Sequence, residues 1–510
     1  MALAQRVMRS NGLRVTALVT LVTFASACRT WSVVPLKEIE TGQPVELTDR
    51  IRVTLRDGGE PTVLNLQRIE YPNVTGVVEG EGAKADPKVV TLDLRQATQV
   101  EIWSVSGWRT ALLVTGIVLG ALAVIAVIIV ATKTSCPFVY VDDGSGLRFV
   151  GEAYSGATSR ATQRQDLLPL PSLGLRPAMV LSNEARETQF TDLLEVVLVD
   201  RAPGTRALAT HDAGLVLVGE ARPPRSATDL EGRDVLDLIR KADGQAWQTD
   251  LEAAVRRPDS PLREGLVVTF PAPAAGGPLA LELDAGNTLW LDVVFGRFFA
   301  LLGDRLDTYL DDTDKPESRG PTLAWREREG VDLRVEVERD GRWERVAVVP
   351  TVGPASLRRF AVPIGSASGN EVRVRLSGGV GFWQADRVAL ASIEPTLPGE
   401  RRFAPVRAVE RGGIDVRALL ASPDGNFQVL PVRGGRVDLS FELPPPAAGL
   451  ERDAFLRTSG YYRVHTPPQS ALSAGTLYRL RDEPGSLSRF SLDLFRGYLG
   501  ITSGPVASAP

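Results

Sequence analysis

Two long apolar runs interrupt a chain whose other hydrophobic positions come in short alternating groups. The first, residues 15–24, follows Arg6, Arg9 and Arg14 and leads into Ala25-Ser26-Ala27-Cys28. A basic start, an apolar middle too short to span a bilayer, and small residues at the exit make a secretory signal. A cysteine directly after those small residues resembles the lipobox of bacterial lipoproteins and predicts lipidation of Cys28, with residues 1–27 removed. The alternative is an ordinary signal cleaved after Ala27, in which Cys28 has no role. The second run, residues 110–132, carries no charge. At ~1.5 Å per residue it reaches ~34 Å, enough for a hydrocarbon core of ~30 Å. Trp103 and Trp108 precede it, and Arg109 and Lys133 bracket it, as interfacial residues do. The pattern predicts a transmembrane helix over 109–133. Gly116 and Gly120 stand four apart within it, a spacing that lets two helices approach closely. Self-association through that face is one reading; chance in a run rich in Gly and Ala is the other.

Between and after these runs the period is mostly two. Residues 28–108 hold short apolar–polar groups at 45–47, 51–55, 62–66, 74–78, 89–92 and 100–103, punctuated by Gly58-Gly59 and Asp86-Pro87. Short strands with such turns predict a small closed β-barrel of the SH3 or Sm-like kind, the alternative being an open meander. Residues 134–224 read as β-rich and open on a hairpin around Asp142-Asp143-Gly144-Ser145-Gly146, a turn without the ligand spacing of a calcium loop. Residues 225–400 mix a short helix at 230–242, an amphipathic helix at 291–310 and strands at 279–283, 333–338, 346–349, 372–376 and 388–391. The alternation in Val372-Arg373-Val374-Arg375-Leu376 suits a half-buried sheet. A β-sandwich with helices inserted at its edge is expected there. Residues 401–499 add a further run of strands, and 500–510 form a Gly, Ser and Pro tail expected to be disordered. The fold class is therefore mainly β.

Several local strings go together. They are Ser135-Cys136-Pro137-Phe138-Val139-Tyr140, Gly151-Glu152-Ala153-Tyr154-Ser155-Gly156-Ala157, Arg164 and Glu187-Thr188-Gln189-Phe190-Thr191-Asp192. With them stand Gly219-Glu220-Ala221-Arg222, Gly232-Arg233-Asp234, Gly381-Phe382-Trp383-Gln384-Ala385-Asp386-Arg387 and Ser459-Gly460-Tyr461-Tyr462. As a set they resemble a family of uncharacterised bacterial lipoproteins with a lipid cysteine, a second hydrophobic segment and a β-rich C-terminal part. The resemblance covers most of the chain and implies the domain plan; it implies no activity.

Composition removes some functions. A formal net charge of -4, with no basic block, excludes an ordinary nucleic-acid binder. Cys28, Cys136, His211 and His465 are scattered without zinc spacing, and no cofactor is expected. Asp304, Asp307, Asp311, Asp312 and Asp314 crowd the end of the predicted long helix, where they offer oxygen ligands for a hard cation or an exposed acidic helix end. Trp290, Trp343 and Trp383, with Trp325 and Phe382 near them in sequence, are candidates for a sugar-stacking face, against ordinary packing. His465 beside Tyr461 and Tyr462 is the one candidate for acid–base work, and no serine elbow accompanies it.

The expectation is a non-enzymatic envelope lipoprotein that binds another protein or a glycan. A hydrolase whose carboxylates meet only in the fold, or a transmembrane sensor, are the alternatives. Lipidation places residues 29–108 outside an inner membrane. Arg148, Arg160 and Arg164 beyond the helix favour a cytoplasmic bulk, and the side occupied by 134–510 is left open.

Overall fold

The computed structural model describes residues 29–34, 50–56, 61–70, 72–78, 89–105, 137–465 and 472–500, apart from 143, 145, 258–259, 274–275, 368, 397–398 and 411. Cys28, Gly116, Gly120 and the whole 110–132 run lie outside these residues. Among the described residues no helix is long and apolar enough to cross a membrane. The chain divides into two compact units, Met1–Val130 and Ala131–Pro510, and both are mainly β.

In the first unit six strands form one antiparallel sheet: β1 (Arg29–Val34), β2 (Arg50–Leu55), β3 (Thr62–Glu70), β4 (Asn73–Val78), β5 (Val89–Asp93) and β6 (Ala97–Val105). Their order is β1-β6-β2-β3-β4-β5. Period-two burial explains it: Ile51, Val53, Leu64, Val74 and Val100 share one buried face, closed by Leu94 and Ala97. Asp93 accepts a hydrogen bond from the Arg95 amide at 3.0 Å and caps the 3-10 turn Leu94–Gln96, which carries the chain from β5 into β6. β3 runs to Glu70, past the expected end at 66, because a register shift between Leu66 and Arg68 absorbs the broken alternation. Leu64 is fully buried in this core. Leu64→Ala should cost roughly 2–5 kcal/mol, read as lost amide-exchange protection in β2 to β4; unchanged protection would show that the sheet does not depend on this core.

The second unit carries four larger antiparallel sheets and one hairpin. Strand Glu187–Arg201 pairs with Glu451–Val464 along its whole length and also contacts Glu400–Phe403 and Gln428–Leu430. A six-stranded sheet runs through Ile414–Asp415, Arg407–Glu410, Arg436–Ser440, Ala178–Ser182, Phe138–Asp142 and Leu147–Glu152. The segments read from sequence as 134–224 and 401–499 therefore share two sheets. Two further sheets come from the middle of the chain. One is built on Arg263–Pro271, Glu371–Gly379 and Leu333–Arg339, the other on Trp383–Ser392, Pro278–Asn287 and Arg358–Ser366. Leu266, Leu333 and Leu376 of the first and Ala285, Trp383 and Ala385 of the second line one narrow hollow between them. The hairpin Arg206–Ala209/Leu215–Val218 is apolar on both faces, as a doubly covered strand pair must be. Ala207 and Ala209 pack with Val197 and Phe455, while Leu208 and Val218 pack with Ala280 and Ala391.

Seven α-helices are described: α1 (Leu236–Ile239), α2 (Leu251–Arg256), α3 (Leu289–Ala300), α4 (Leu306–Thr313), α5 (Arg319–Glu329), α6 (Ala474–Asp482) and α7 (Ser486–Tyr498). The helix expected at 230–242 is a single turn, because Asp229 closes a tight turn over 229–233 with its side chain. The long helix expected at 291–310 is two helices, broken where Gly303 takes φ +52. The last expected strands of the C-terminal region are instead α6 and α7. In α7 the buried Leu487, Leu492 and Phe495 recur at helical rather than strand spacing.

Candidate functional site

The three tryptophans proposed as a stacking face have three different settings. Trp290, on α3, is buried edge-on against Phe495 and Tyr498, with its indole donating to Ser491 Oγ at 2.7 Å. Trp383 is buried and donates to the Val331 carbonyl at 3.0 Å. Trp343 is half-buried beneath the guanidinium groups of Arg375 and Arg373, 4.7 and 5.6 Å from its ring centroid. The acidic run is divided among partners. Asp311 meets Arg463 at 2.7 Å, Asp314 accepts from the Arg160 amide at 2.6 Å, and Asp312 meets Lys315 at 2.6 Å. Asp304 and Asp307 are exposed. Among the described residues no group of three or more His, Cys, Asp or Glu is placed to hold a metal ion. His465 lies 3.0 Å from the Thr188 hydroxyl, and Tyr461 stacks on Phe190 at 4.5 Å.

Motifs far apart in the chain meet at the loop 151–157. Tyr154 is fully buried with φ +34, a strained conformation for a residue with a side chain. Its amide donates to Asp166 at 2.9 Å, and its hydroxyl lies 2.6 Å from Thr191 Oγ1. The Gly156 amide donates to the Tyr462 hydroxyl, and the Gly156 carbonyl accepts from Arg326 at 2.7 Å. Arg164 donates to the carbonyls of Ser155 and Thr351 at 3.0 and 2.9 Å. Three buried guanidiniums, Arg164, Arg326 and Arg358, thus surround the loop. Asp332 neutralises Arg326 at 2.6 Å and Asp166 neutralises Arg358 at 2.7 Å. Ser155, Gly156, Arg326, Thr351 and Tyr462 border a hollow of about 30 Å³, room for water and nothing larger. Asp166 also lies 3.5 Å from Arg164, so two carboxylates serve three guanidiniums, and the hub fastens the loop to the strands around it.

A wider cleft, about 220 Å³, lies at the edge of the middle sheets. Its walls are the 229–235 turn, the segment 247–250 and the start of strand Arg263–Pro271. Asp229 accepts from the amides of Glu231 and Arg233, both at 2.9 Å, and from the Arg233 side chain at 2.5 Å. Glu231 is bridged by Arg233 and Arg257. Asp234 accepts from the Leu236 amide, and Asp250 caps α2 by accepting from the Ala253 amide at 3.0 Å. Asp229 and Glu231 are the ion-paired carboxylates of this wall, while Asp234 and Asp250 are held by backbone amides and Glu264 by the Thr249 hydroxyl. Burial pushes the Glu264 carboxyl above the usual range, against the pull of the Thr249 hydroxyl and Arg257. Arg263 donates to the carbonyls of Glu327 and Arg328 at the end of α5, and its buried Nη1 has no partner among the described residues. Trp247 lines the cleft, while Leu230 and Leu238 on its rim are 38% and 39% exposed.

The sequence did not single out Trp247, Arg263 or Glu264. Trp247 lies in a short, unpatterned segment and Arg263 and Glu264 at the polar start of a strand, and they are brought together by the pairing of Trp247–Gln248 with strand Trp383–Ser392 and of Arg263–Pro271 with Glu371–Gly379. The only signal was Gly232-Arg233-Asp234, which supplies the turn on the opposite wall. No protein-family model matches the sequence, and no curated protein is significantly similar to it.

Proposed function

We propose that this chain is a bacterial envelope lipoprotein, held to the membrane at Cys28 and by residues 110–132, whose large β-rich unit binds a partner protein without transforming it. The observation that carries the binding reading is the state of the cleft carboxylates. Acid–base hydrolysis needs two uncommitted carboxyls tuned apart. Here Asp229, Glu231, Asp234 and Asp250 are committed to turns, caps or ion pairs, which leaves Glu264, held by the Thr249 hydroxyl, without a second free carboxyl beside it. A protein partner is favoured over a glycan because Trp290 and Trp383 are spent on internal packing. For the first unit we favour an SH3- or Sm-like barrel: the sheet order, with a 3-10 turn before the last strand, supports it. For the two middle sheets, the shared hollow supports a β-sandwich.

Two experiments test the reading. Cys28→Ser should abolish incorporation of labelled palmitate while leaving the protein in the membrane fraction through residues 110–132. Retained label removes the lipid anchor from the proposal, and release into the soluble fraction removes the spanning segment. A photo-activated cross-linker placed at the rim residue Leu238 of the full chain in cells should trap a discrete partner. Absence of any cross-linked product would count against binding through the cleft.

A further inference from the structure

The lining of the cleft goes further than a general binding role. Five carboxylates (Asp229, Glu231, Asp234, Asp250 and Glu264) face it, against the guanidiniums of Arg233 and Arg263. Arg257 adds one more positive charge at Glu231, and the balance stays negative. Nearby like charge and partial burial both disfavour a bare Glu264 carboxylate, so an incoming cation relieves a cost that is already present. The same lining is also apolar, with Leu230, Val235, Leu238, Pro261 and Trp247. A lining of that kind covers methylenes, and an indole ring attracts a cation close to its face. The volume of about 220 Å³ accepts one extended side chain and excludes a large organic ligand. A neutral sugar would need several uncommitted hydrogen-bonding groups, whereas four of the five carboxylates are engaged in turns, caps or ion pairs and Glu264 accepts from the Thr249 hydroxyl.

Resting on the binding reading above, we propose that this cleft takes a single alkyl cation, the arginine or lysine side chain of a partner protein, with its charged head at Glu264 and its stem between Trp247 and the rim leucines. The occupant is defined by three complementary features: length, one positive charge and an apolar stem. Arginine fits best, since its planar head can lie along the indole while it donates to the carboxylate.

The test uses the detergent-solubilised full chain and two probes of nearly the same shape, butylguanidinium and neutral butylurea. Butylguanidinium should bind with a measurable heat and shift the tryptophan fluorescence, and its affinity should fall as salt rises. Butylurea should bind at least tenfold more weakly. Glu264→Gln should weaken butylguanidinium at least tenfold, and Trp247→Ala severalfold, with Trp247→Phe recovering part of the loss. In cells, butylguanidinium should also compete with cross-linking at Leu238. Equal binding of the two probes, or affinity untouched by Glu264→Gln, overturns the cation assignment. If neither probe binds or competes while cross-linking at Leu238 still traps a partner, the ligand chemistry is wrong and the binding reading stands. If cross-linking fails as well, both fall.

Discussion

Asp166→Ala should destabilise the second unit by about 3–5 kcal/mol, the usual loss when one member of a buried ion pair is removed. Asp166 is 5% exposed and accepts from Arg358 at 2.7 Å, from the Tyr154 amide at 2.9 Å, and lies 3.5 Å from Arg164. Its removal leaves two buried guanidiniums facing each other and frees the amide of a residue already in a strained conformation. Asp166→Asn keeps the shape but not the charge and should lose most of the same stability. Guanidinium chloride unfolding, followed by tryptophan fluorescence, measures it; a loss below about 1 kcal/mol would mean that water already screens the pair. The effect should also depend on pH. Burial pushes the Asp166 carboxyl up, yet Arg358 and Arg164 outweigh it and hold it below the ordinary carboxylate range. A depressed native pKa contributes stability above the unfolded value, about 4, and that contribution disappears as pH falls through the native value. The gap between wild type and Asp166→Asn should therefore be full near neutrality and shrink only in strong acid. A gap that is constant down to acid pH would assign the loss to shape rather than charge.

The mainly β character was legible because alternation is a local signal, and Ile51, Val53 and Val100 can be placed inside from their own neighbours. Helix boundaries were less so. Leu291, Val294, Phe298, Leu302 and Leu306 keep one helical stripe across Gly303, and only the backbone conformation of that glycine shows the break. Long-range pairing left almost no mark in sequence. Nothing in Glu187–Arg201 announces Glu451–Val464 as its neighbour, since both mix apolar and polar positions in a way that would suit pairing with many other strands. The motif strings behaved differently. Gly151 to Ala157, Arg164, Glu187 to Asp192 and Ser459 to Tyr462 were recognisable as a set, and they meet at the buried hub. They stood out only through the resemblance they carry as a set; in the fold they are polar and glycine-rich segments placed inside, a cost that must be met by specific partners. The cleft left no such trace. Its chemistry depends on which carboxylates are already engaged, and that is decided by turns such as 229–233 that one-dimensional patterns underdetermine.

Gly156→Ala should be about as damaging as loss of the buried charge, for a steric reason. Gly156 has φ +74, and a Cβ there would stand 1.9 Å from Thr351 Oγ1 and 3.0 Å from the Arg326 guanidinium. The left-handed backbone costs an ordinary residue roughly 1–2 kcal/mol, and overpacking a buried site adds roughly 1–3 kcal/mol. Neither neighbour can step aside cheaply. The Thr351 hydroxyl donates to the Ser155 carbonyl at 2.9 Å, and Arg326 is held by both Asp332 and the Gly156 carbonyl. A total loss of about 2–5 kcal/mol is expected from denaturant unfolding. Thr351→Ala removes the obstructing oxygen and should by itself cost about 1–2 kcal/mol in lost hydrogen bonds. If the clash is the main term, the double variant Gly156→Ala/Thr351→Ala should be more stable than the sum of the single losses predicts, by at least about 1 kcal/mol. Strict additivity would instead place the whole penalty in the backbone of Gly156, and the hub would then depend on a glycine for its conformation alone and not for the space it leaves to Thr351.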